Sequence, residues 1–234
     1  MKEFQTISDF FKNIPDNIIY VVLRNFEGYE DNVFLDGHPD IDLLCKNPEK
    51  LLEYSGTTSR NNIVIISNEY VTLDIYTVGD GYYDSNWTDS MLEKRKSHND
   101  LFYVLEEKDY FYSLLYHAII HKHEFYVEYQ IRLINMAYTL GIEISKDDSE
   151  NSLYNTLNEY MRLNGYFYTY YKNPYKIANF TKIDSSLIQK RKLRILLVYL
   201  YFFIKPLPRK YIVRILKKIR LYYFLRKIYR WLKK

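Results

Sequence analysis

Two aspartates stand one residue apart at the head of an apolar run, Pro39-Asp40-Ile41-Asp42-Leu43-Leu44-Cys45. Successive side chains in a β-strand point to opposite faces, so Asp40 and Asp42 share one face while Ile41 and Leu43 point into a core. Two like charges in a half-buried strand repel each other and are costly to desolvate. Mg²⁺ or Mn²⁺ removes that cost, because hard cations prefer carboxylate oxygens. The segment therefore predicts a strand with a cation site; a surface strand with hydrated aspartates is the alternative.

A third carboxylate follows in a predicted hairpin. Residues 63–67 and 70–77 read as two strands, and alternation places Asp74 on the polar face of the second strand. If this strand lies beside the strand of Asp40 and Asp42, three carboxylates converge, as two-metal phosphoryl or nucleotidyl transfer requires. We expect Asp40 and Asp42 to hold the metal, and Asp74 to share it and to help deprotonate the acceptor hydroxyl.

This combination resembles the nucleotidyltransferase fold superfamily, the DNA polymerase β-like group. A first strand at residues 18–23, the Asp40/Asp42 pair and the third acid Asp74 carry the resemblance, which covers roughly residues 1–125. Further stretches are similar to bacterial nucleotidyltransferase-like proteins of surface-polysaccharide assembly. These stretches are residues 20–24, 78–84 and 109–117.

The resemblance implies a Mg²⁺- or Mn²⁺-dependent transferase that takes a nucleotide, or a nucleotide-activated or phosphate-linked sugar or polyol donor. The family's Gly-Ser turn, which wraps the donor phosphates, is missing after Leu23, and Arg24-Asn25 stands there instead. We expect Arg24 and His38 to contact the donor phosphates in its place. Without that turn, an inactive or repurposed member of the family is an alternative.

Composition bounds the class of protein. The chain has 234 residues, 47% of them hydrophobic, which excludes a disordered chain. Cys45 is the single cysteine, so an internal disulfide is excluded and a reducing cytosol is expected. Apolar neighbours make Cys45 a small buried hydrophobe rather than a nucleophile. The first 12 residues contain acids and do not resemble a signal peptide.

Strands are predicted in the first part of the chain and helices after them, an order that indicates an α+β fold. We expect a nucleotidyltransferase-like mixed sheet with flanking helices over residues 1–105. A helical domain over residues 106–185 and a basic amphipathic helical tail over residues 186–234 follow. His117 and His121 lie four apart in the predicted helix 109–122, where they face a substrate or phosphate or pack against tyrosines.

Charge is strongly segregated along the chain. Residues 190–234 contain 16 of the 33 Lys and Arg and no acid, which leaves 17 bases against 29 acids in the rest. Basic residues mixed with aromatic and aliphatic ones predict a helix that lies on an anionic membrane surface. Docking on the chain's own acidic part is the second interpretation, and nucleic acid is the third.

The sequence thus predicts a transferase of cell-surface polysaccharide synthesis, cytoplasmic and peripheral on the inner face of the cell membrane. The alternatives are a soluble small-molecule or protein nucleotidyltransferase, and a non-catalytic adaptor that kept the fold. The sequence does not indicate an oligomeric state.

Overall fold

A computed structural model describes residues 2–34, 39–59, 61–122, 124–145, 147–169 and 182–189. The chain divides into two compact units, Met1–Gln189 and Lys190–Lys234. All but the first four residues of the predicted basic tail lie outside the described residues.

The described strands form one mixed sheet of seven strands. In chain order these strands are β1 (Glu3–Phe4), β2 (Tyr20–Val22), β3 (Asp40–Cys45), β4 (Ile63–Ile66), β5 (Glu69–Tyr76), β6 (Lys96–His98) and β7 (Phe102–Val104). Across the sheet the order is β1-β4-β5-β3-β2-β7-β6. Strands β3 and β5 are parallel neighbours, β2 runs antiparallel to β3, and β4 runs antiparallel to β5.

Six α-helices surround or follow the sheet strands in the described part of the chain. They are α1 (Ile7–Lys12), α2 (Pro48–Ser55), α3 (Ser85–Glu93), α4 (Glu107–Tyr116), α5 (Val127–Thr139) and α6 (Ser149–Asn164). A π-helix at His117–His121 continues α4, and a 3₁₀ turn lies at Ser185–Leu187. The predicted α+β class is confirmed.

A short strand precedes the first helix, and one predicted turn lies elsewhere than expected. Glu3–Phe4 pairs with β4, and α1 begins at Ile7, because the Thr6 side chain accepts from the Asp9 amide. The β4–β5 turn was expected at Asn68-Glu69. It lies at Ser67-Asn68, both with positive φ (53° and 66°), as a two-residue hairpin requires.

The two faces of the sheet have different roles. Tyr20, opposite Cys45 in the register, lies on the face of Ile41 and Leu43, and its ring stacks on Phe11 of α1. This face is apolar, and Cys45 is fully buried in it as expected. The other face presents Asp42.

Helix α4 packs into the same compact unit as the sheet. Its residues from Asp109 to Tyr116 are all buried, and Asp109 accepts hydrogen bonds from Trp87 of α3 and Tyr160 of α6. The first compact unit runs from Met1 to Gln189. The predicted domain boundary between residues 105 and 106 lies within this unit and stays a prediction. Within the described ranges, no helix has the length and apolar character needed to cross a membrane.

Candidate functional site

The three predicted carboxylates lie on one face of two neighbouring strands. The parallel register places Asp42 of β3 opposite Asp74 of β5, and Asp40 opposite Thr72. Residues in register on adjacent strands, and residues two apart on one strand, point to the same face. Asp42 is only 4% exposed, while Asp40 and Asp74 are partly exposed. The backbone therefore brings Asp40, Asp42 and Asp74 together at the adjacent β3 and β5 strands.

Arg24 supplies a positive charge in the same place. The amide of Leu23 donates to the Asp42 carbonyl at 2.9 Å, which fixes the end of β2 against β3. Arg24, the next residue, is 5% exposed, and its Nη2 donates to Asp42 Oδ1 in a buried ion pair. Burial lowers the pKa of Arg24, but Asp42 and the nearby tyrosines outweigh it and raise that pKa well above its ordinary value. Arg24 is therefore a permanent cation at this site.

Tyr76 connects Arg24 with Asp74. Its hydroxyl accepts a long hydrogen bond from Arg24 Nη2 at 3.5 Å and donates one to Asp74 Oδ2 at 3.5 Å. Burial raises the pKa of Tyr76 far above its usual range, Arg24 opposes that rise, and Asp42 and Asp74 add to it. The phenol stays protonated at neutral pH, so it remains a donor toward Asp74.

The guanidinium of Arg24 does not use all of its hydrogen-bond donors. Among the described residues, Arg24 Nη1 is buried without a hydrogen-bond partner. The guanidinium carbon lies 5.8 Å from the centroid of the Tyr76 ring and 5.9 Å from that of Tyr82, so aromatic faces flank the cation. Burying an unpaired donor is costly, so buried polar groups are usually hydrogen-bonded.

Tyr82, which lies beside Arg24, packs against His117 and His121. The Tyr82 ring lies 3.9 Å from the Tyr76 ring and is stacked at 3.9 Å on His121. Its hydroxyl is hydrogen-bonded to His117 Nδ1 at 2.7 Å, and His121 Nε2 donates to its carbonyl at 3.1 Å. Both histidines thus pack against a tyrosine, one of the two predicted roles. They sit in a π-helix, a form that is enriched at functional sites.

The segment Gly79-Asp80-Gly81 positions Tyr82. The Asp80 carboxylate accepts from the amides of Thr77 at 3.0 Å and Tyr82 at 2.7 Å, which closes a tight turn after β5. Both glycines have positive φ, as such a turn favours. The turn thereby sets Tyr82 onto Tyr76 and Arg24.

The loop that follows β2 is fixed by helix α5. Asn25 adopts φ of 59°, which asparagine tolerates better than most residues, and its Oδ1 accepts from Arg132 Nη1 at 3.1 Å. Arg132 also pairs with Glu27, and Tyr110 donates to Glu27 at 2.7 Å. No local pattern in the sequence indicates this cluster, because Arg132 lies 107 residues from Asn25.

The donor set is of the right chemistry for a hard divalent cation, since it consists of carboxylates on one sheet face. As the side chains are placed, however, the described residues contain no group of three or more His, Cys, Asp or Glu arranged to hold a metal ion. Arg24 is the cation beside Asp42. His38, predicted to contact phosphate, lies outside the described residues.

A separate polar cleft of about 370 Å³ lies against the opposite sheet face, between the end of α1 and the β6–β7 hairpin. Arg95, at its edge, donates to the Leu92 carbonyl at 2.8 Å and lies over the Tyr103 ring. This arginine is therefore turned away from Asp42 and does not serve the carboxylate site.

Comparisons of the chain with family models, with curated proteins and with solved structures find no match.

Proposed function

We propose that the chain is a Mg²⁺-dependent nucleotidyl- or phosphoryl-type transferase. The observation that carries the proposal is the register pairing of Asp42 with Asp74 on parallel strands, beside a buried arginine with an unused donor. Asp40, Asp42 and Asp74 are the residues that hold Mg²⁺ or Mn²⁺. The ion, when bound, offsets negative charge on the donor phosphate and on the attacking oxygen.

The chain's own groups have distinct roles in this proposal. Asp74 accepts the proton of the acceptor hydroxyl, and the Tyr76 hydroxyl orients that carboxylate from 3.5 Å. Arg24 directs a guanidinium nitrogen at a phosphate oxygen of the donor, a charge-assisted contact that suits arginine. Buried tyrosines around Arg24 exclude water from the charged contact, which strengthens it.

Calorimetry with Mn²⁺ in the presence of nucleotides tests the enzyme proposal. Wild type is expected to take up the metal, and Asp42→Asn and Asp74→Asn are expected to lose that uptake, because each removes a ligand charge. Asp16→Asn, at an exposed aspartate outside the site, is the matched control. If both site variants bound Mn²⁺ as wild type does, the site assignment would be refuted.

A thermal-shift screen identifies the donor. Nucleotides are compared with nucleotide-activated sugars and polyols, with Mg²⁺ present throughout. Stabilisation by activated sugars or polyols supports a place in cell-surface polysaccharide synthesis. Stabilisation by free nucleotides alone supports the soluble small-molecule or protein nucleotidyltransferase instead.

We propose that the basic residues 190–234 bind the protein to the inner face of the cell membrane. With 16 positive charges and no acid, this segment is attracted to an anionic lipid surface. Flotation with anionic vesicles is expected for the full chain and not for a chain that ends at Gln189, the end of the first compact unit. Equal flotation of both chains would refute the membrane role.

A non-catalytic adaptor is the second candidate, and the Arg24–Asp42 ion pair favours it. A guanidinium already neutralises Asp42, so the carboxylate does not require a metal to be stable in its buried place. The adaptor predicts no Mn²⁺ uptake by wild type even with nucleotide present, and the transferase predicts uptake.

A further inference from the structure

Four apolar side chains form a stripe along the outer side of helix α5. Val127 is 62% exposed, Ile131 56% and Tyr138 88%, and Ile134 is partly exposed. The opposite side of the helix is anchored in the protein, because Leu133 is fully buried. Single exposed apolar residues are common on protein surfaces, whereas a contiguous patch of roughly 300–600 Å² often has a function. The α5 stripe therefore calls for a partner.

The α5 stripe has the spacing of a coiled coil. Its residues are separated by four, three and four positions, the a/d spacing that keeps apolar side chains on one side of a helix. These intervals read the same in both directions along the helix. Two copies of α5 laid antiparallel about a two-fold axis therefore place Ile131 against Ile134 of the second copy, and Val127 against its Tyr138. The stripe is thus complementary to itself.

The charges of α5 favour a second copy of the chain over a lipid surface. Within α5, which the structure describes in full, Glu128 is the only charged residue among the exposed ones. A helix that lies on a membrane carries Lys and Arg on its polar side instead. In the antiparallel pair Glu128 faces Asn135 of the second copy, so no like charges meet. Protein interfaces are likewise depleted of charge in their centre and enriched in aromatic residues.

We propose that the chain forms a two-fold symmetric dimer through the outer side of α5, independently of the proposed transferase activity. A depression of about 700 Å³ at the end of this helix completes the surface, and it is lined by Ile134, Tyr138 and residues 141–145. The antiparallel arrangement sets the start of one α5 beside the end of the other. Tyr126, which is 41% exposed, therefore enters the depression of the second copy. An aromatic side chain in a pocket is a common anchor of an interface.

The size of the surface determines how tightly it binds. Helix α5 has 13 residues and is about 20 Å long, so the two helices and the two depressions bury roughly 1,000 Å² in total. Stable interfaces usually bury about 1,200–2,000 Å², and smaller ones are transient. The dimer is therefore reversible, with an expected Kd of roughly 10 µM.

Sedimentation velocity of the full chain tests the association. Between roughly 1 and 100 µM protein, the mean mass is expected to rise from 28.5 kDa towards twice that value. The buffer contains about 0.3 M salt, which screens the charges of the basic residues 190–234 and leaves apolar association intact.

Ile131→Glu is expected to raise the Kd about tenfold or more, because the dimer would bury its charge. Leu163→Glu is the matched control, since it adds the same charge at an apolar residue of α6 that is 78% exposed. This control is expected to dimerise as wild type does. Asn135→Lys is expected to lower the Kd about twofold or more, because the lysine faces Glu128 of the second copy, an effect that a loss of stability would not produce.

Cysteine cross-linking tests the antiparallel arrangement. An equal mixture of Val127→Cys and Tyr138→Cys is expected to form disulfide-linked dimers under mild oxidation. Neither variant alone is expected to do so, because its two introduced cysteines lie about 16 Å apart along the helices. The native Cys45 is fully buried and does not compete.

Each experiment has an outcome that contradicts the dimer. A wild-type mass of 28.5 kDa at every concentration overturns it and leaves the α5 stripe to another partner. Association of Ile131→Glu with the wild-type Kd overturns the role of α5. Disulfide-linked dimers of Val127→Cys alone overturn the antiparallel pairing.

Discussion

The buried carboxylate of Asp109 is expected to hold the sheet and the later helices together, and its removal should destabilise the whole unit. Asp109 is 5% exposed, and its Oδ1 accepts from Trp87 Nε1 at 3.0 Å and from the Tyr160 hydroxyl at 2.9 Å. Asp109→Ala leaves both buried donors without an acceptor. At about 1–3 kcal/mol for each unsatisfied group, the loss in free energy of unfolding is about 2–6 kcal/mol.

Asp109→Asn is the matched control, because its amide oxygen still accepts both hydrogen bonds. It loses only the contribution of the charge, about 1 kcal/mol. Urea unfolding is followed by tryptophan fluorescence in a Trp231→Phe background, so that Trp87 is the sole probe, and by far-UV circular dichroism. An alanine variant that loses less than about 1 kcal/mol, or an asparagine variant that loses as much as alanine, would refute the reasoning.

The same experiment tests the predicted boundary near residue 106. Trp87 lies in α3, before that boundary, while most of the helical residues that the structure describes belong to α4, α5 and α6 after it. In one cooperative unit the fluorescence and dichroism transitions coincide. Two separated transitions would show that residues 1–105 and 106–185 unfold as different domains.

Three other predictions concern stability. Burial raises the pKa of Cys45 to about 11. At about pH 8 its thiol should therefore resist a disulfide reagent in the folded chain and react once urea unfolds the chain. Rapid reaction in the folded state would contradict the burial of Cys45. Burial also raises the pKa of Tyr116 to about 12, so the tyrosine ionises in the unfolded chain at a lower pH than in the folded one. The Tm measured by calorimetry should therefore fall as the pH rises above about 10. A constant Tm up to about pH 11 would contradict this. Gly165 ends α6 at φ of 68°, and among the described residues no atom lies within 4 Å of an added Cβ. Gly165→Ala should therefore lower the free energy of unfolding by about 1 kcal/mol through backbone strain alone. An unchanged free energy in urea unfolding would contradict that.

Alternation and turn signals were sufficient to predict the strands that carry the aspartates. Ile41 and Leu43 are fully buried, as the period of two requires, while Asp74 lies on the other face. Pro48 is the first residue of α2, a position that favours proline. These features depend on neighbours within a few residues, which the sequence displays directly.

Contacts between distant residues could not be predicted in the same way. Arg24 was expected to face a phosphate, and its ion pair with Asp42, 18 residues away, was missed because a buried arginine and a surface one look alike in sequence. The roles of Tyr76 and Tyr82 were missed for a different reason. Tyrosine is abundant, at 27 residues, so its number carried no information about position. The position of Tyr76, two residues after Asp74, was the available signal.

The cost of the Arg24–Asp42 pair is itself an argument for function. Replacing a buried ion pair with apolar residues of similar volume is often neutral or stabilises a protein by about 1–4 kcal/mol, so stability alone does not explain such a pair. Here the pair also leaves a donor of Arg24 unsatisfied and lies next to Asp74, a second carboxylate in register. Packing alone does not require two carboxylates in register beside a buried arginine. The proposed transferase, which would bind a cation and a phosphate at this place, gives these charged groups a role that the fold does not.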